Sequence, residues 1–420
     1  MKKIIFSLMI LSAMTLSCHK ENDQDPDEET VPSEELIERK DIALTRSQLD
    51  FVKSNNGFAL DLFKKVSGSA EGKSVIISPL SVTFAMGMVD NGAKGTTREE
   101  INKVLGYEGS SLDDLNTFCK TMLEQGAAVD PSTTIEIANM AVVNKGSASL
   151  KDDFTRKVES DYQANVCYKD FAKEDIKSLI NKWCEEKTKG MIKDFLKDPL
   201  DPNDYAHFLN ATYFKGIWSS QFKKKDSKEE KFTDIDGKSL TVNMMWQKAQ
   251  FNYSHVDGLC SALCLPYGNK AYRMIVILPD KGVTMDGLMK GLTPETWNKI
   301  GTMNEVEVDV KLPSFETEFG TESLKPALKE LGIQDAFNGG KADFSDMTDQ
   351  KVYIADVLHK AKIKVDEQGS EAAAVTDVVM RKNSVSIQGP VDFHADRPFV
   401  YAITEISTGA IFFIGRYTGK

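Results

Sequence analysis

The sequence predicts a mixed α+β fold, in which helices and strands follow one another within a single domain over residues 46–420. Apolar residues recur at helical spacing in some segments and alternate with polar residues in others, so both element types are present. The 420 residues are 41% hydrophobic and 27% charged, which is enough apolar material for one large core. We find no internal repeat, so a solenoid or propeller is not expected.

Helices are predicted where apolar spacing coincides with start or stop signals. Pro79 suits the first turn of a helix that continues to Val89, and Gly190 and Gly332 close two others. Thr97 begins a further helix with acidic residues in its first turn. The predicted helices cover 56–66, 79–89, a segment from Thr97, 150–162, 180–190 and 324–331.

Strands are predicted in short apolar or alternating runs bounded by turn residues. Residues 306–312 alternate acidic and apolar side chains, as expected of a strand with one solvated face. Short strands separated by turns fill 229–278, and the turn at 407–409 joins two strands at the C-terminus. The remaining predicted strands are 74–78, 135–143, 207–215, 399–406 and 410–417.

The first 17 residues have the features of a signal peptide. Lys2 and Lys3 form a basic start, and the apolar run 4–16 is too short to span a membrane as a helix. The sequence 15–18, Thr-Leu-Ser-Cys, resembles a bacterial lipobox, which implies cleavage before Cys18 and lipidation of its thiol. An ordinary secretory signal with a nearby cleavage site is the alternative.

Residues 18–45 are expected to be a disordered acidic tether. Acidic residues dominate 21–35, Pro26 and Pro32 interrupt the run, and the segment is too polar to build a core. An acidic run after a lipidated cysteine is similar to the surface-export signal of some Gram-negative lipoproteins, although a plain solvated linker has the same composition. We therefore expect a secreted protein that is lipid-anchored to the outer membrane, with exposure on the cell surface left open.

Composition and motifs argue against several function classes. The formal net charge of −11 disfavours nucleic-acid binding. None of the five histidines is spaced for metal binding, and no Gly-x-Ser-x-Gly sequence is present. Cys260 and Cys264 suggest a metal pair only weakly, and the cysteines after Cys18 are interpreted as buried small hydrophobic residues. We predict no enzyme activity, no metal and no cofactor.

A segment near the C-terminus, residues 365–384, alternates small uncharged residues with charged ones, and the functional interpretation depends on this pattern. Read with period two, Ser370, Ala372, Ala374 and Thr376 share a small uncharged face, and the charged residues share the other face. A polar, basic tip follows at 381–384. One interpretation is a loop that leads into an edge strand. The other is a segment that exists as a loop and can become a strand.

Two stretches resemble the serpin family of serine protease inhibitors. Residues 367–376, Glu-Gln-Gly-Ser-Glu-Ala-Ala-Ala-Val-Thr, are similar to the family's loop hinge, and residues 393–400, Phe-His-Ala-Asp-Arg-Pro-Phe-Val, are similar to its C-terminal signature. Residues 74–105 and 210–218 resemble further family blocks. The resemblance implies a serpin fold with three β-sheets, a layer of about eight or nine helices and an exposed reactive-centre loop.

The resemblance also implies a function without catalytic residues. A target protease attacks the loop and forms an acyl-enzyme, and the cut loop then inserts into the central sheet and distorts the protease. The implied partners are serine proteases held in a covalent complex, and the chain is expected to be a monomer. A non-inhibitory serpin that serves as a binding or scaffold module is the alternative. The implied hinge residues are Glu367, Gly369, Ser370, Glu371, Ala372, Ala373, Ala374 and Thr376.

The same resemblance assigns residues to the parts of the sheet that must open. It implies a polar cluster beneath the sheet, the shutter, formed by Ser78, Ser81, Asn210 and His359. It places Trp218 and Lys360 at the breach, where the loop enters the sheet.

The position of the cut stays open among four residues. Counting from Gly369 in the usual family register gives the bond between Asn383 and Ser384, whereas a cut after Lys382 or Arg381 suits a trypsin-like protease. A trypsin-like target is therefore expected.

Overall fold

The computed structural model describes residues 38–146, 149–370 and 389–420, and it confirms the predicted α+β class. The α-helices of these residues are α1 (Arg46–Ser69), α2 (Pro79–Asp90), α3 (Gly95–Leu105), α4 (Leu112–Gly126), α5 (Asp152–Tyr162), α6 (Ile176–Lys187), α7 (Met285–Gly291), α8 (Pro294–Gly301) and α9 (Lys325–Leu331). None of the helices in the described ranges is long and apolar enough to cross a bilayer.

The strands of the described residues are β1 (Val75–Ile77), β2 (Thr134–Asn144), β3 (Asn165–Lys169), β4 (Ala206–Ile217), β5 (Lys228–Thr233), β6 (Ser239–Val256), β7 (Cys260–Pro266), β8 (Tyr272–Pro279), β9 (Asn304–Pro313), β10 (Phe315–Ser323), β11 (Leu358–Val365), β12 (Gly369–Ser370), β13 (Val391–His394), β14 (Phe399–Glu405) and β15 (Ile411–Tyr417). The sequence did not indicate α4, α7 or α8, nor the strands β3, β10, β11 and β13.

Local capping explains where the first two helices begin. The Thr45 side chain accepts from the backbone N–H of Gln48, and the Gln48 side chain accepts from the Thr45 N–H, so α1 starts with a capping box. The Ser78 side chain caps α2, whose first residue is Pro79. Ile42, in the last part of the predicted tether, is buried, and its N–H donates to Ser407 Oγ.

The strands form two hydrogen-bonded networks. The larger has nine strands in the order β1-β15-β14-β8-β7-β6-β9-β13, with β5 also paired to β6. The 18-residue strand β6 pairs with β5 at its start, with β9 along its middle and with β7 at its end. Two of the three sheets expected from the resemblance are therefore continuous with each other through β6.

The second network has six strands in the order β10-β11-β12-β4-β2-β3. Helix α6 covers one face of this sheet, where Ile180, Trp183 and Cys184 pack with Leu209 and Ala211 of β4. Helix α2 packs against β4 and β15. All twelve residues of α2 are buried, so this helix lies inside the core between the two networks.

Candidate functional site

A tight hairpin joins β11 to β12 within the six-stranded sheet. Asp366 and Gly369 exchange backbone hydrogen bonds, with N···O distances of 2.9 and 3.2 Å, and the Asp366 side chain accepts from the Gln368 N–H. The hairpin returns the chain as β12, which lies between β11 and β4. Ser370 is in register with Val365 on β11 and with Gly216 on β4. The first two residues of the segment thus already occupy a strand position.

Only glycine fits at the start of β12. Gly369 has φ +155°, and a Cβ atom there would lie 2.1 Å from the carbonyl oxygen of Gly216 on β4. That contact involves backbone atoms, so no side-chain rotation could relieve it. The close approach of Gly369 to β4 is therefore the structural reason for glycine in the hinge.

Ser370 is held by an aromatic pair beneath the sheet. It is fully buried, and its Oγ lies 2.6 Å from the hydroxyl of Tyr267. The Tyr267 ring stacks on Trp218 with a centroid distance of 4.4 Å. Trp218 binds the hairpin in turn, because its N–H donates to Gln368 O and its Nε1 donates to Asp366 O, each at 2.9 Å. The sequence resemblance indicates Trp218, but it gives no signal for Tyr267.

Glu367 is a polar anchor on the same hairpin. Its carboxylate accepts from Asn243 Nδ2 at 2.9 Å, and its carbonyl accepts from the Phe222 N–H at 2.9 Å. Burial alone would raise the pKa of this carboxyl. The hydrogen bond from Asn243 and one from the backbone of Glu367 itself, together with the charge of Lys224, nevertheless hold the pKa of Glu367 below its ordinary value. Glu367 therefore fixes the outer side of the hinge as an anion.

The structure brings the four residues assigned to the shutter together at the N-terminus of α2. Ser78 N–H donates to His359 Nε2 on β11 at 3.2 Å, and Ser81 Oγ donates to Asn210 Oδ1 on β4. Ser81 N–H also donates to Ser78 Oγ, which caps the helix. One end of α2 thus binds both strands that flank β12.

This polar cluster is larger than the sequence indicated. Thr212 Oγ1 donates to Asn210 Oδ1 at 2.6 Å, and Asn210 Nδ2 donates to Asn139 Oδ1 of β2 at 2.8 Å. Asn139 continues to the carbonyl of Tyr162 at the end of α5. The spacing of Asn210 and Thr212 on β4 could have revealed Thr212, because residues two apart share a strand face. Asn139 could not be found without the register.

His359 is uncharged in this arrangement. The side chain is buried and accepts a hydrogen bond at Nε2, so this nitrogen carries no proton. Burial in surroundings that cannot solvate an imidazolium lowers the pKa of His359 to about 4. The cluster is therefore neutral at physiological pH.

The placement of Lys360 at the breach is not supported by the geometry. Lys360 Nζ donates to the carbonyl of Asp194 at 2.9 Å and pairs with Glu318 at the same distance. It lies six residues before Asp366, which Trp218 binds, and a strand rises about 3.3 Å per residue. Lys360 and Asp366 are thus on the order of 20 Å apart along the chain. Lys360 lies beside His359 instead, on the face of the sheet that α6 covers.

Several predicted residues lie outside the described part of the chain. They are the hinge residues Glu371, Ala372, Ala373, Ala374 and Thr376, the reactive-bond candidates Arg381, Lys382, Asn383 and Ser384, and the lipidation candidate Cys18.

The cysteines within the described ranges are free thiols. Cys167 is partly exposed, and the other four, Cys119, Cys184, Cys260 and Cys264, are buried. Cys260 and Cys264 lie four residues apart on β7, which separates them by about 13 Å at the rise of a strand. They cannot hold one metal ion together.

Comparisons with known proteins agree with the fold. A family model described as Serpin (serine protease inhibitor) matches residues 53–419. The chain is 32% identical to Iripin-2 of Ixodes ricinus over 377 residues, covering 88% of this chain and 94% of the relative. It is 31% identical to the human leukocyte elastase inhibitor, with 87% and 98% covered.

Two solved structures are also similar. The native thermophilic serpin tengpin has a TM-score of 0.81 and 29% identity, with 90% of this chain and 96% of that chain covered. Human thyroxine-binding globulin, solved as a complex with thyroxine, has a TM-score of 0.79 and 26% identity, with 88% and 98% covered.

Proposed function

The chain belongs to the serpin family, and we propose that it inhibits serine proteases as a single-use trap. A protease cuts the loop that follows Ser370, stays attached as an acyl-enzyme, and is distorted when the loop inserts between β11 and β4. The leukocyte elastase inhibitor among its relatives carries an inhibitory activity in its name. The geometry around β12 supports the same activity in this chain.

The observation that carries the proposal is the placement of β12. It is antiparallel to both β11 and β4, and among the described residues these two strands are joined in the sheet only through it. A chain that continues from Ser370 in the same direction must therefore run down the seam between them. Successive residues would gain ladder hydrogen bonds alternately to β11 and to β4.

The register of β12 tests whether the loop's small face would fit that seam. Each step forward from Ser370 moves one residue back on both neighbours. Ala374 would then lie between Ala361 and Thr212, and Thr376 would lie between His359 and Asn210. Ser370 points into the core, so these alternate residues would also point inward. Their small size suits insertion above the polar cluster, and Thr376 brings a hydroxyl that can bind within it.

The lower end of the seam is lined by apolar side chains. An apolar cavity there is lined by residues of α2, by Ala206 and Phe208 of β4, and by Val357 before β11. The same register sets Val378 between Phe208 and Val357, and it sets Met380 opposite Ala206. The small-to-apolar change along the loop's inner face therefore matches the change from polar cluster to apolar cavity along the seam.

Insertion supplies the work of the trap. The protease's serine oxygen bonds to the carbonyl carbon on the N-terminal side of the scissile peptide bond. That bond breaks, and the amino group on its C-terminal side leaves with the proton of the serine hydroxyl. About ten inserted residues at about 1 kcal/mol net for each hydrogen bond give on the order of 10 kcal/mol, before the apolar burial is added. That free energy is available to distort the attached protease before water hydrolyses the ester.

The target that we propose is a trypsin-like protease, which would cut the loop after Arg381 or Lys382. A trypsin-like pocket carries a carboxylate that pairs with either side chain. The bond between Asn383 and Ser384 is the alternative given by the family register. The experiment mixes the purified protein with trypsin and follows it by denaturing electrophoresis and mass spectrometry of the released peptide.

A band at the summed mass that survives detergent is the expected result, and the new N-terminus of the peptide identifies the cut. Trypsin replaced by a variant lacking its serine nucleophile is the control and should give no band. Complete cleavage without a stable band, with trypsin-, elastase- and subtilisin-like proteases alike, would falsify the trap.

The second candidate function is that of a non-inhibitory binding protein. The similarity to thyroxine-binding globulin favours it, because that relative was solved with a small molecule bound. Loop cleavage separates the two: an inserting loop raises the temperature of unfolding strongly, whereas a carrier whose loop stays out keeps the same temperature after the cut.

We also propose that the monomeric inhibitor is a secreted lipoprotein of bacterial type. Cleavage before Cys18 and lipidation of its thiol would anchor it to the outer membrane through the acidic segment 21–35. Mass spectrometry of the membrane-extracted protein should show acyl chains on residue 18. The variant Cys18→Ser should be released in soluble form, and retention of that variant in the membrane would contradict the anchor.

A further inference from the structure

Three side chains that can bind a metal ion converge beside the C-terminal end of the loop. They are Asp309 on β9 and Asp392 and His394 on β13. Their ligand atoms all lie within 4.8 Å of one another, and His394 Nε2 is 3.1 Å from Asp309 Oδ1. His394 and Asp309 are 85 residues apart in the sequence, so no spacing motif reveals the cluster.

The two carboxylates lie opposite each other, and no described Lys or Arg pairs with either of them. Asp392 is directly in register with Asp309 on the parallel neighbour strand, and like charges opposite each other destabilise a sheet. The Asp392 side chain has no hydrogen bond or ion pair with any other described residue. Lys311, in register with His394, pairs with Glu230, and Lys248, in register with Asp309, pairs with Glu307. This arrangement is one that a divalent cation would stabilise.

The cluster also has a supporting contact. Trp246 Nε1 donates to Asp309 Oδ1 at 3.1 Å and fixes the orientation of that carboxylate, as outer partners of metal ligands do. The side chains of Asp309 and His394 are 25% and 37% exposed, so an ion could enter from solvent and keep water ligands. One imidazole with two carboxylates suits zinc or a similar transition metal better than calcium or magnesium.

We propose that Asp309, Asp392 and His394 form a binding site for a divalent transition-metal ion such as Zn²⁺, which clasps β13 to β9. The imidazole moves its proton to Nδ1 and offers the Nε2 lone pair to the ion in place of the hydrogen bond to Asp309. One oxygen from each aspartate completes the protein ligands. The site stands on geometry alone and does not depend on protease inhibition.

The position of the site gives the ion a mechanical role. β13 is a four-residue edge strand, and in the described sheet it pairs with β9 alone. It follows the loop directly, so it holds the loop's C-terminal end while β12 holds the other end. An ion shared between β9 and β13 would slow the fraying of this edge strand.

The test measures zinc binding by equilibrium dialysis of metal-stripped protein followed by elemental analysis. The variants Asp392→Asn and His394→Gln are each expected to bind one ion fewer than the wild type. The matched control is His255→Gln, because His255 also lies near two aspartates, Asp257 and Asp280, at 3.4 and 3.7 Å, but outside any converging cluster of the described residues. This control should keep the wild-type stoichiometry.

A second measurement locates the effect. Zinc should slow hydrogen exchange of the amides in 391–394 by about tenfold or more in the wild type, and it should leave those amides unchanged in His394→Gln. Circular dichroism checks that each variant is folded. Equal zinc stoichiometry in the wild type and both ligand variants, or zinc-independent exchange at β13 in the wild type, overturns the proposal.

Discussion

The upper and middle parts of the seam between β11 and β4 are closed by different kinds of contact. At the top, β12 fills the seam with its own strand pairs, a glycine in backbone contact and a serine bound by Tyr267. In the middle, none of the described strands intervenes, and α2 binds the two sides separately through His359 and Asn210.

The difference shows how one sheet can be both fixed and able to open. The contacts at the top depend on shape, because a backbone approach such as that of Gly369 tolerates no added atom. The contacts in the middle are hydrogen bonds between side chains, which are directional but can be exchanged for others, such as those of an incoming strand. The top therefore sets the register, and the middle sets the resistance to insertion.

The largest expected effect comes from preventing β12 from forming at the top of the seam. Gly369→Val would place a Cβ atom 2.1 Å from the Gly216 oxygen, so β12 cannot form. We expect the fraction of covalent protease complex to fall about tenfold or more, with cleaved inhibitor as the product. Gly389→Val is the matched control, because its Cβ would meet no atom within 4 Å. Undiminished complex formation by Gly369→Val would contradict the role of the close approach.

A pH titration probes the polar contacts in the middle part of the seam. The folded-state pKa of His359 is lowered to about 4, below an ordinary value of 6.5, so the unfolded chain binds the proton more tightly. Stability is therefore unaffected above about pH 6.5 and is lost as the pH falls towards 4, by up to about 3 kcal/mol. The measurement is denaturant unfolding of the wild type and of His359→Gln between about pH 4 and 8.

The wild type must be compared with His359→Gln because the titration of Asp90 changes the stability in the direction opposite to that of His359. Burial raises the pKa of Asp90 to about 7, so its contribution makes the fold less stable as the pH rises from about 4 to 7. Both proteins retain Asp90, and only the wild type should lose the additional stability at acid pH. Parallel pH profiles would show that His359 does not titrate as a buried neutral group.

Truncation of Asn210, whose amide lies at the centre of the polar cluster, should lower the stability by a smaller amount. Asn210→Ala removes the acceptor of the Ser81 and Thr212 hydroxyls and the donor to the side-chain oxygen of Asn139. We expect a loss of about 2 kcal/mol in the free energy of unfolding and faster spontaneous loop insertion. The exposed Asn203→Ala is the control. An Asn210 variant as stable as this control would mean that the cluster rearranges without cost.

The smallest effect should follow from a subtle change at the top. Trp218→Phe keeps an aromatic ring on Tyr267 but removes the donor to Asp366 O. A loss of about 1 kcal/mol in the free energy of unfolding is expected, with the inhibitory complex still formed. Thermal unfolding and the trypsin assay measure the two readouts. A loss of trapping as large as that of Gly369→Val would show that the hydrogen bond, and not the close approach, determines the register.

Many of the helices and strands could be predicted from local patterns. The helix starting at Pro79, the helix ending at Gly332 and the strands at the C-terminus follow from capping chemistry and alternation, which act over a few residues. Helices α4, α7 and α8 were not predicted, although each begins with a capping Ser or Thr that the sequence displays.

The amino-acid order alone specifies the small uncharged face of the loop and the glycine of the hinge, because these are properties of side-chain size at particular positions. The family resemblance supplied four residues of the polar cluster, whereas Asn139 required the strand register. The contacts of each residue come from the folded chain instead. Folding placed Tyr267 under Ser370, separated Lys360 from Trp218, and brought Asp309 to His394. Strand register and hydrogen-bond partners depend on segments far apart in the chain, and no local pattern encodes which of them will be neighbours.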